Sequence, residues 1–461
     1  MEAHLRKLWD SLRSSYWFVP ALMTIGAVLL WAGTSMLERT LYAAGTLPSA
    51  WLYADDIDSV RTLLLAVAGA IIGLVGVVFS ITMIPLTIAT AQFGPRLLRT
   101  FLRDTGTQIT LGTFVATFIF CMLVLLRLRG DPAQPLPQVS VTVGLLLALT
   151  SFSVLIYFIN HVAISIQAPV VVAEVSAELL AAIDRELPHP LDQAAAPALM
   201  RAVDGVPPDF AENARPVVAT ASGYVQARDD AGLLRLATKH NLVIRLLGQP
   251  GDFVVQNTPL AFLWPGAAAS GEVDTAINAA FLLGLQRTLV QDVTFGINEL
   301  VEMAVRALSP AINDPFTAMT CLDWIGTALC RVCSRAFPPP DRCDDQGRLC
   351  LMMKVVTFTD LADAAFNPIR EAGRTNMAVT LRLLDTIMVV AQCARTEEQC
   401  ATLLRHATVV ERGSVFGLPE EADRQAVSAR YQTVARFLGL SEAGVVTEPV
   451  RAMLGEPDET A

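Results

Sequence analysis

The chain has 461 residues, of which 53% are hydrophobic and 17% are charged, and its net charge is −10. Soluble domains carry about 25% charged residues, and the charge-poor part is the N-terminal third, so the composition indicates a membrane region followed by a soluble one. The acidic balance argues against a nucleic-acid partner, and the eight cysteines do not indicate a disulfide framework in a chain of this length.

Residues 1–16 form an amphipathic segment that would lie on the membrane surface. Long uncharged segments follow, and each is long enough to cross about 30 Å of hydrocarbon. We predict four membrane spans, at 17–37, 62–91, 107–126 and 139–166. Lys and Arg residues near the span ends favour cytoplasmic N- and C-termini.

The second span lies in a stretch of 34 uncharged residues, from Thr62 to Pro95. Small and weakly polar side chains recur on one face of this helix: Gly69, Gly73, Gly76, Ser80, Thr87 and Thr90. Such a face allows another backbone to approach closely in lipid. Alternatively, its hydroxyls would line a polar path through the membrane.

Two further groups of polar residues lie near the membrane. Arg96, Arg99 and Arg103 share one face of a short helix after Pro95, where they would contact lipid headgroups. Asn160 and His161 lie near the inner end of the fourth span. A polar pair at that depth is a functional candidate, and an interface position is the alternative.

After the spans we predict a linker over 188–215, a β-rich module over 216–265, a helical domain over 271–440 and a tail over 441–461. One long helix is expected over Ala276–Leu308, and another begins at Asp314-Pro315, where an N-cap precedes a proline. The predicted fold is a mainly α membrane protein with four transmembrane helices. An α+β, mostly helical cytoplasmic domain with a small β module follows them.

Polar residues recur at seven-residue steps along the helix expected over Ala276–Leu308. Asp292, Glu299 and Arg306 lead into Asn313 and Asp314, where two helices meet. This polar cluster is a candidate site for a small polar ligand or an ion. The structural alternative is that Asp314 caps a helix and Arg306 pairs with the glutamate four residues earlier.

The cysteines do not favour a metal site. Cys330 and Cys333, then Cys343 and Cys350, follow a loosely zinc-like order. However, the first pair lies within a predicted helix and the second has an unusual spacing, whereas structural zinc sites favour tight pairs on turns. The sequence also lacks a catalytic triad order, a P-loop and a dinucleotide-binding loop, so we predict no enzymatic activity, no cofactor and no metal.

Three stretches carry a resemblance to a known family: Phe93–Asp104, with the sequence FGPRLLRTFLRD, Ala307–Ala318, with the sequence ALSPAINDPFTA, and Ala365-Phe366 with Ile369-Arg370. The chain resembles a bacterial family of predicted inner-membrane proteins catalogued only as a domain of unknown function. Gly94 stands where members often have serine. The resemblance implies four spans in a bacterial inner membrane and a cytoplasmic C-terminal region, and it implies no reaction or ligand.

Two functional hypotheses follow. In the first, the protein is a channel-like or transport protein that acts as a homo-oligomer, with the second span at the subunit interface or along the path. In the second, it is a membrane-tethered sensor or scaffold whose spans only anchor it in the lipid bilayer. A hydrated path between spans favours transport, whereas a packed bundle with a cytoplasmic pocket favours a sensor.

Overall fold

The computed structural model describes residues 17–44, 57–92, 104–128, 136–187, 206–266 and 270–442. The amphipathic segment 1–16, the basic residues Arg96, Arg99 and Arg103, and most of the expected linker and tail lie outside the described residues. The described residues form two compact units, which divide between Val170 and Val171.

The first unit contains four long helices: α1 (Phe18–Ala44), α2 (Ile57–Gln92), α3 (Thr105–Arg127) and α4 (Gln138–Ser165). All four are long and apolar enough to cross a membrane. A helix satisfies its own backbone hydrogen bonds, which hydrocarbon cannot do, so long uncharged segments fold this way. The predicted membrane protein with four transmembrane helices is confirmed.

Helix α3 lies at the centre of the first unit, since it packs against α1, α2 and α4. Its Phe114 and Phe120 side chains are fully buried. At Gly112 a Cβ would lie 3.2 Å from the Cα of Pro20, so the glycine lets α1 approach closely. The bundle therefore has a mainly apolar interior that is built around α3.

The second unit is mostly helical, with two small sheets. Its helices are α5 (Ala168–Glu186), α6 (Phe210–Asn213), α7 (Asp230–His240), α8 (Gly271–Ala280), α9 (Val293–Ala307), α10 (Pro315–Cys333), α11 (Phe358–Gly373), α12 (Met377–Cys393), α13 (Glu397–Gly417) and α14 (Glu421–Glu442). The division between the two units lies in the first turn of α5. Its strands are β1 (Arg215–Val218), β2 (Gly223–Arg228), β3 (Val243–Leu246), β4 (Phe253–Val254), β5 (Pro259–Trp264), β6 (Phe281–Gly284), β7 (Asp341–Cys343) and β8 (Leu349–Met353).

The strands form a five-stranded sheet in the order β1-β5-β3-β8-β7 and a three-stranded sheet in the order β4-β2-β6. Strand β8 pairs parallel to β3, and the other paired strands run antiparallel. Strands β6, β7 and β8 lie outside the segment 216–265, where the β-rich module was expected. A parallel pair needs a long connection, which here includes three helices of the second unit, α8, α9 and α10.

The continuous helix expected over Ala276–Leu308 is wrong. The segment Phe281–Gly284 is a strand that pairs with β2, and a new helix starts after Asp292. Pairing with β2 buries Phe281, and this tertiary contact outweighs the local helical pattern.

Arg228 at the end of β2 connects both sheets. Its side chain is only 5% exposed and forms an ion pair with Asp230 at 2.5 Å. The guanidinium also donates to the carbonyl of Gly248 at 2.6 Å, just after β3, and to the sulfur of Met353 in β8 at 3.2 Å. A buried charge needs such partners, because burial removes its hydration.

We expect Arg228→Ala to destabilise the second unit by about 3 kcal/mol, because the mutation leaves Asp230 and the Gly248 carbonyl without this partner. Thermal unfolding of the detergent-solubilised protein, monitored by limited proteolysis, measures this loss of stability. Arg245→Ala is the matched control, since Arg245 is exposed on β3. Equal stabilities of the two variants would contradict the connecting role of Arg228.

Candidate functional site

Asp104 and His161 join two helices at one end of the membrane bundle. Asp104 caps α3 by accepting hydrogen bonds from the backbone N–H groups of Gly106 and Thr107, at 3.2 and 2.9 Å. The Nε2 atom of His161, on α4, lies 2.9 and 3.0 Å from the two carboxylate oxygens. The carboxylate thus closes the start of α3 and fixes the last turns of α4 against it.

The surroundings of His161 explain how the ring reaches Asp104. A Cβ at Gly106 would lie 2.6 Å from Nε2 of His161, so only glycine leaves room for the ring. Tyr157 stacks on the imidazole with ring centroids 5.5 Å apart. The neighbouring Asn160, the other residue of the predicted polar pair, is exposed. His161 therefore has a structural partner, which the sequence did not reveal.

A second polar group, Glu38 with Arg127, lies at the opposite end of α3. The Glu38 carboxylate is fully buried on α1 and pairs with the guanidinium of Arg127. It also accepts the backbone N–H of Ser140 at 2.7 Å, in the first turn of α4. Pro137 provides no side-chain cap for α4, so Glu38 supplies the negative charge that a helix N-terminus favours.

The two polar groups mark the two ends of the bundle. Asp104 and Arg127 are 23 residues apart on one helix, or about 35 Å, which is close to the thickness of the hydrocarbon core. Between them the interior contains the fully buried rings of Phe114, Phe120 and Phe158, and a hydroxyl pair between Thr117 and Ser151 at 3.0 Å. The four-helix bundle is thus filled mainly by apolar side chains.

The predicted small face of α2 points away from the bundle. Leu64, Ile71 and Val78 bury the opposite face of this helix. A Cβ built at Gly69, Gly73 or Gly76 would meet nothing within 4 Å. These glycines therefore do not serve packing within one chain.

The hydroxyls of this small face are held by their own helix. Ser80 and Thr87 are exposed and donate to the carbonyls of Gly76 and Met83, at 3.0 and 2.9 Å. Thr90 lies in α2, but its side chain is outside the described part. A bound hydroxyl keeps acceptor capacity, so it still offers a polar surface.

The predicted polar cluster of the C-terminal region is spread along α9. Asp292 caps the start of α9 by accepting from the N–H of Phe295 at 3.0 Å, and it pairs with Arg287 at 2.7 Å. Burial raises the pKa of Asp292, and Arg287 opposes this shift. Arg306 pairs with Glu302 at 3.0 Å in the last turns of α9, about 20 Å along the helix from Asp292. Glu299 lies on α9 between them, so these side chains do not converge on one ligand.

The Asn313-Asp314 junction has a local structural explanation. Asn313 adopts a left-handed conformation with φ 51°, which asparagine tolerates better than most residues. The Asp314 carboxylate accepts from the N–H of Thr317 at 3.1 Å and from its hydroxyl at 2.6 Å. The motif thus turns the chain and starts α10.

The cysteines of the second unit lie on several elements. Cys330 and Cys333 are on α10, and Cys343 and Cys350 are on β7 and β8. Within the described ranges, no group of three or more His, Cys, Asp or Glu residues could hold a metal ion. Cys330 instead donates to the carbonyl of Val389 on α12 at 3.6 Å. The neighbouring Cys330 thiol lowers the pKa of Cys393, and Arg395 adds to this lowering.

Replacing Asp314 by Ala should cost about 1 kcal/mol of stability, because α10 loses its N-cap acceptor. Asp314→Ser is the matched control, since serine can accept the same backbone hydrogen bond. Thermal unfolding in detergent compares the three proteins. An alanine variant as stable as the parent would contradict the capping role and would return the junction to consideration as a ligand site.

The sequence did not reveal the interactions of three charged residues: Glu38, Arg127 and Asp104. Each is the first charged residue next to one end of an uncharged span. That position is the feature of the sequence that could have identified them. Opposite charges at the ends of neighbouring spans are candidates for pairing, because hydrocarbon disfavours a lone charge.

Comparison with known proteins agrees with a membrane protein. The chain is 31% identical over 430 residues to the uncharacterized protein Rv1290c of Mycobacterium tuberculosis, a match that covers 92% of this chain and 80% of the relative. The uncharacterized protein Mb1321c of Mycobacterium bovis matches with the same identity and coverage. No solved structure matches the chain. The family described as "Predicted membrane protein (DUF2254)" matches residues 13–388, and the chain belongs to this family.

Proposed function

We propose that this membrane protein assembles as a homo-oligomer through the small face of α2 and acts as a channel-like or transport protein. The observation that carries the proposal is the exposure of Gly69, Gly73 and Gly76, whose Cβ positions meet nothing within 4 Å in one chain. In lipid, small residues favour helix association because they let backbones come close.

The transport path would lie between chains. The interior of the bundle contains the fully buried rings of Phe114, Phe120 and Phe158, which disfavour it as a route for a polar solute. The small face of α2 instead has exposed hydroxyls at Ser80 and Thr87. Hydroxyls that line a narrow passage between helices can replace part of the hydration of a solute.

The proposed setting is the inner membrane of a bacterium, with both termini in the cytoplasm. Four spans return the chain to the side on which it began, and the positive charges near the spans favour that side as the cytoplasm. The proposal includes the lipid bilayer and further copies of the chain as partners, and it assigns no enzymatic reaction.

A second candidate function is a membrane-tethered sensor or scaffold. A cavity of about 240 Å³ in the second unit favours it, since its lining includes two arginines, Arg370 and Arg374. In this case the bundle would only anchor the protein, and α2 would face lipid or a neighbouring chain without conducting.

Replacing Gly73 and Gly76 by Leu should break the oligomer, because each added side chain occupies the space of the neighbouring backbone. We expect the dissociation constant of the assembly to rise by at least about tenfold, which corresponds to 1.4 kcal/mol. Light scattering of the detergent-solubilised protein measures the assembly, and tracer-ion flux into liposomes measures transport.

Gly26→Leu on α1 is the matched control, since Gly26 is also an exposed span glycine with nothing within 4 Å of its Cβ position. Thr87→Val separates the two parts of the proposal, because it keeps the side-chain volume and removes a hydroxyl. Lower flux with an intact assembly supports a path along α2. If Gly73→Leu and Gly76→Leu change neither assembly nor flux, the face contacts lipid and the proposal fails.

A further inference from the structure

A cavity of about 240 Å³ lies between three helices of the second unit, α11, α12 and α13. Its wall includes Arg370 and Arg374 at the end of α11, Thr380 on α12, and Ser414 and Phe416 on α13. Pockets for drug-sized ligands usually measure about 300–1,000 Å³, so this cavity suits a smaller molecule.

Of the two arginines, Arg370 is half-buried and Arg374 is exposed at the edge of the cavity. Neither guanidinium has an ion-pair partner among the described residues, and the Nε–H of Arg370 is buried without a hydrogen bond there. A buried guanidinium N–H without an acceptor is costly, and an anion in the cavity is one partner that would satisfy it. Arg370 and Arg374 are four residues apart, which places them on the same side of α11.

The nearby carboxylate is already engaged. Asp363 accepts from Arg405 at 2.6 Å and lies 2.9 Å from Nε2 of His406. Burial lowers the pKa of His406 to about 4, with further lowering by Arg405 and Arg370, so His406 is neutral at pH 7. Asp363 thus matches the charge of Arg405, and the positive charge of Arg370 is left without an opposite charge.

Close packing holds the arginines in position. A Cβ at Gly417 would collide with the carbonyl oxygen of Arg374, so the end of α13 rests directly on the backbone of α11. Ala365, Phe366 and Ile369, which precede Arg370 on α11, are fully buried. These apolar residues are explained by packing in the core. Phe416, at the edge of the cavity, is 89% exposed, so core packing does not explain an aromatic ring at this position.

We propose that this cavity binds a small phosphate monoester through Arg370 and Arg374. Two guanidinium groups match the double charge of a phosphate monoester, and guanidinium binds phosphate oxygens in a bidentate manner. Thr380 and Ser414 line the same cavity, although their hydroxyls donate to the backbone carbonyls of Asn376 and Glu411. The ring of Phe416 offers an apolar surface to the organic part of the ligand. This inference does not depend on whether the spans conduct.

The experiment is calorimetric titration of the purified full-length protein in detergent with three probes: inorganic phosphate, phenyl phosphate and dihexanoyl phosphatidic acid. We expect Arg370→Gln to weaken binding by at least about tenfold, since it removes one charge-assisted contact. Arg235→Gln is the control with the same change of charge, because Arg235 is exposed on α7. It should bind like the parent.

A second pair of variants tests the cavity without changing its charge. Gly413 also lines the cavity, and a Cβ there meets nothing within 4 Å. Gly413→Leu should therefore fill the cavity and abolish binding, while Gly413→Ala should bind normally. Unfolding temperatures without probe establish that each variant is folded.

Binding of phenyl phosphate that Arg370→Gln weakens supports a soluble phosphate ester as the ligand. Binding of phosphatidic acid alone, with the same dependence on Arg370, supports a lipid headgroup as the source of the phosphate monoester. If none of the three probes binds, or if Arg370→Gln and Gly413→Leu bind like the parent, the proposal is overturned. Oligomer formation and ion flux are measured separately, so either proposal can fail alone.

Discussion

Hydrocarbon does not solvate charge, and this constraint sets the layout of the first unit. The buried Glu38 is tolerable because Arg127 and the first turn of α4 surround its carboxylate. At the other end of α3, Asp104 holds His161. Both polar groups connect α3 to α4, so they fix the ends of these helices while apolar side chains fill the interior between them.

The same constraint gives α2 its two different faces. One face packs against the bundle through Leu64, Ile71 and Val78, and the other shows glycines and hydroxyls to the surroundings of the chain. Lipid tails gain little from a surface of small side chains, whereas another helix can pack closely against it. The small face of α2 is therefore the surface through which several chains are proposed to assemble.

The sequence predicted the features that depend on local composition. Four uncharged segments indicated four spans, and the Asp314-Pro315 pair indicated the start of a helix, which the structure has at α10. It did not reveal features that depend on distant residues. The strand Phe281–Gly284 forms because β2 offers it hydrogen bonds. Likewise, the pair of Glu38 with Arg127 joins residues 89 positions apart, so the span ends mark each charge but do not identify its partner.

The most direct test of self-association is disulfide cross-linking in native membranes, with cysteine at position 73 in a chain whose eight cysteines are replaced. If the small faces of α2 meet, mild oxidation of Gly73→Cys gives covalent dimers on a non-reducing gel. The matched variant Gly26→Cys, on the exposed surface of α1, stays monomeric. Equal cross-linking of the two variants, or none of Gly73→Cys, would contradict association through α2.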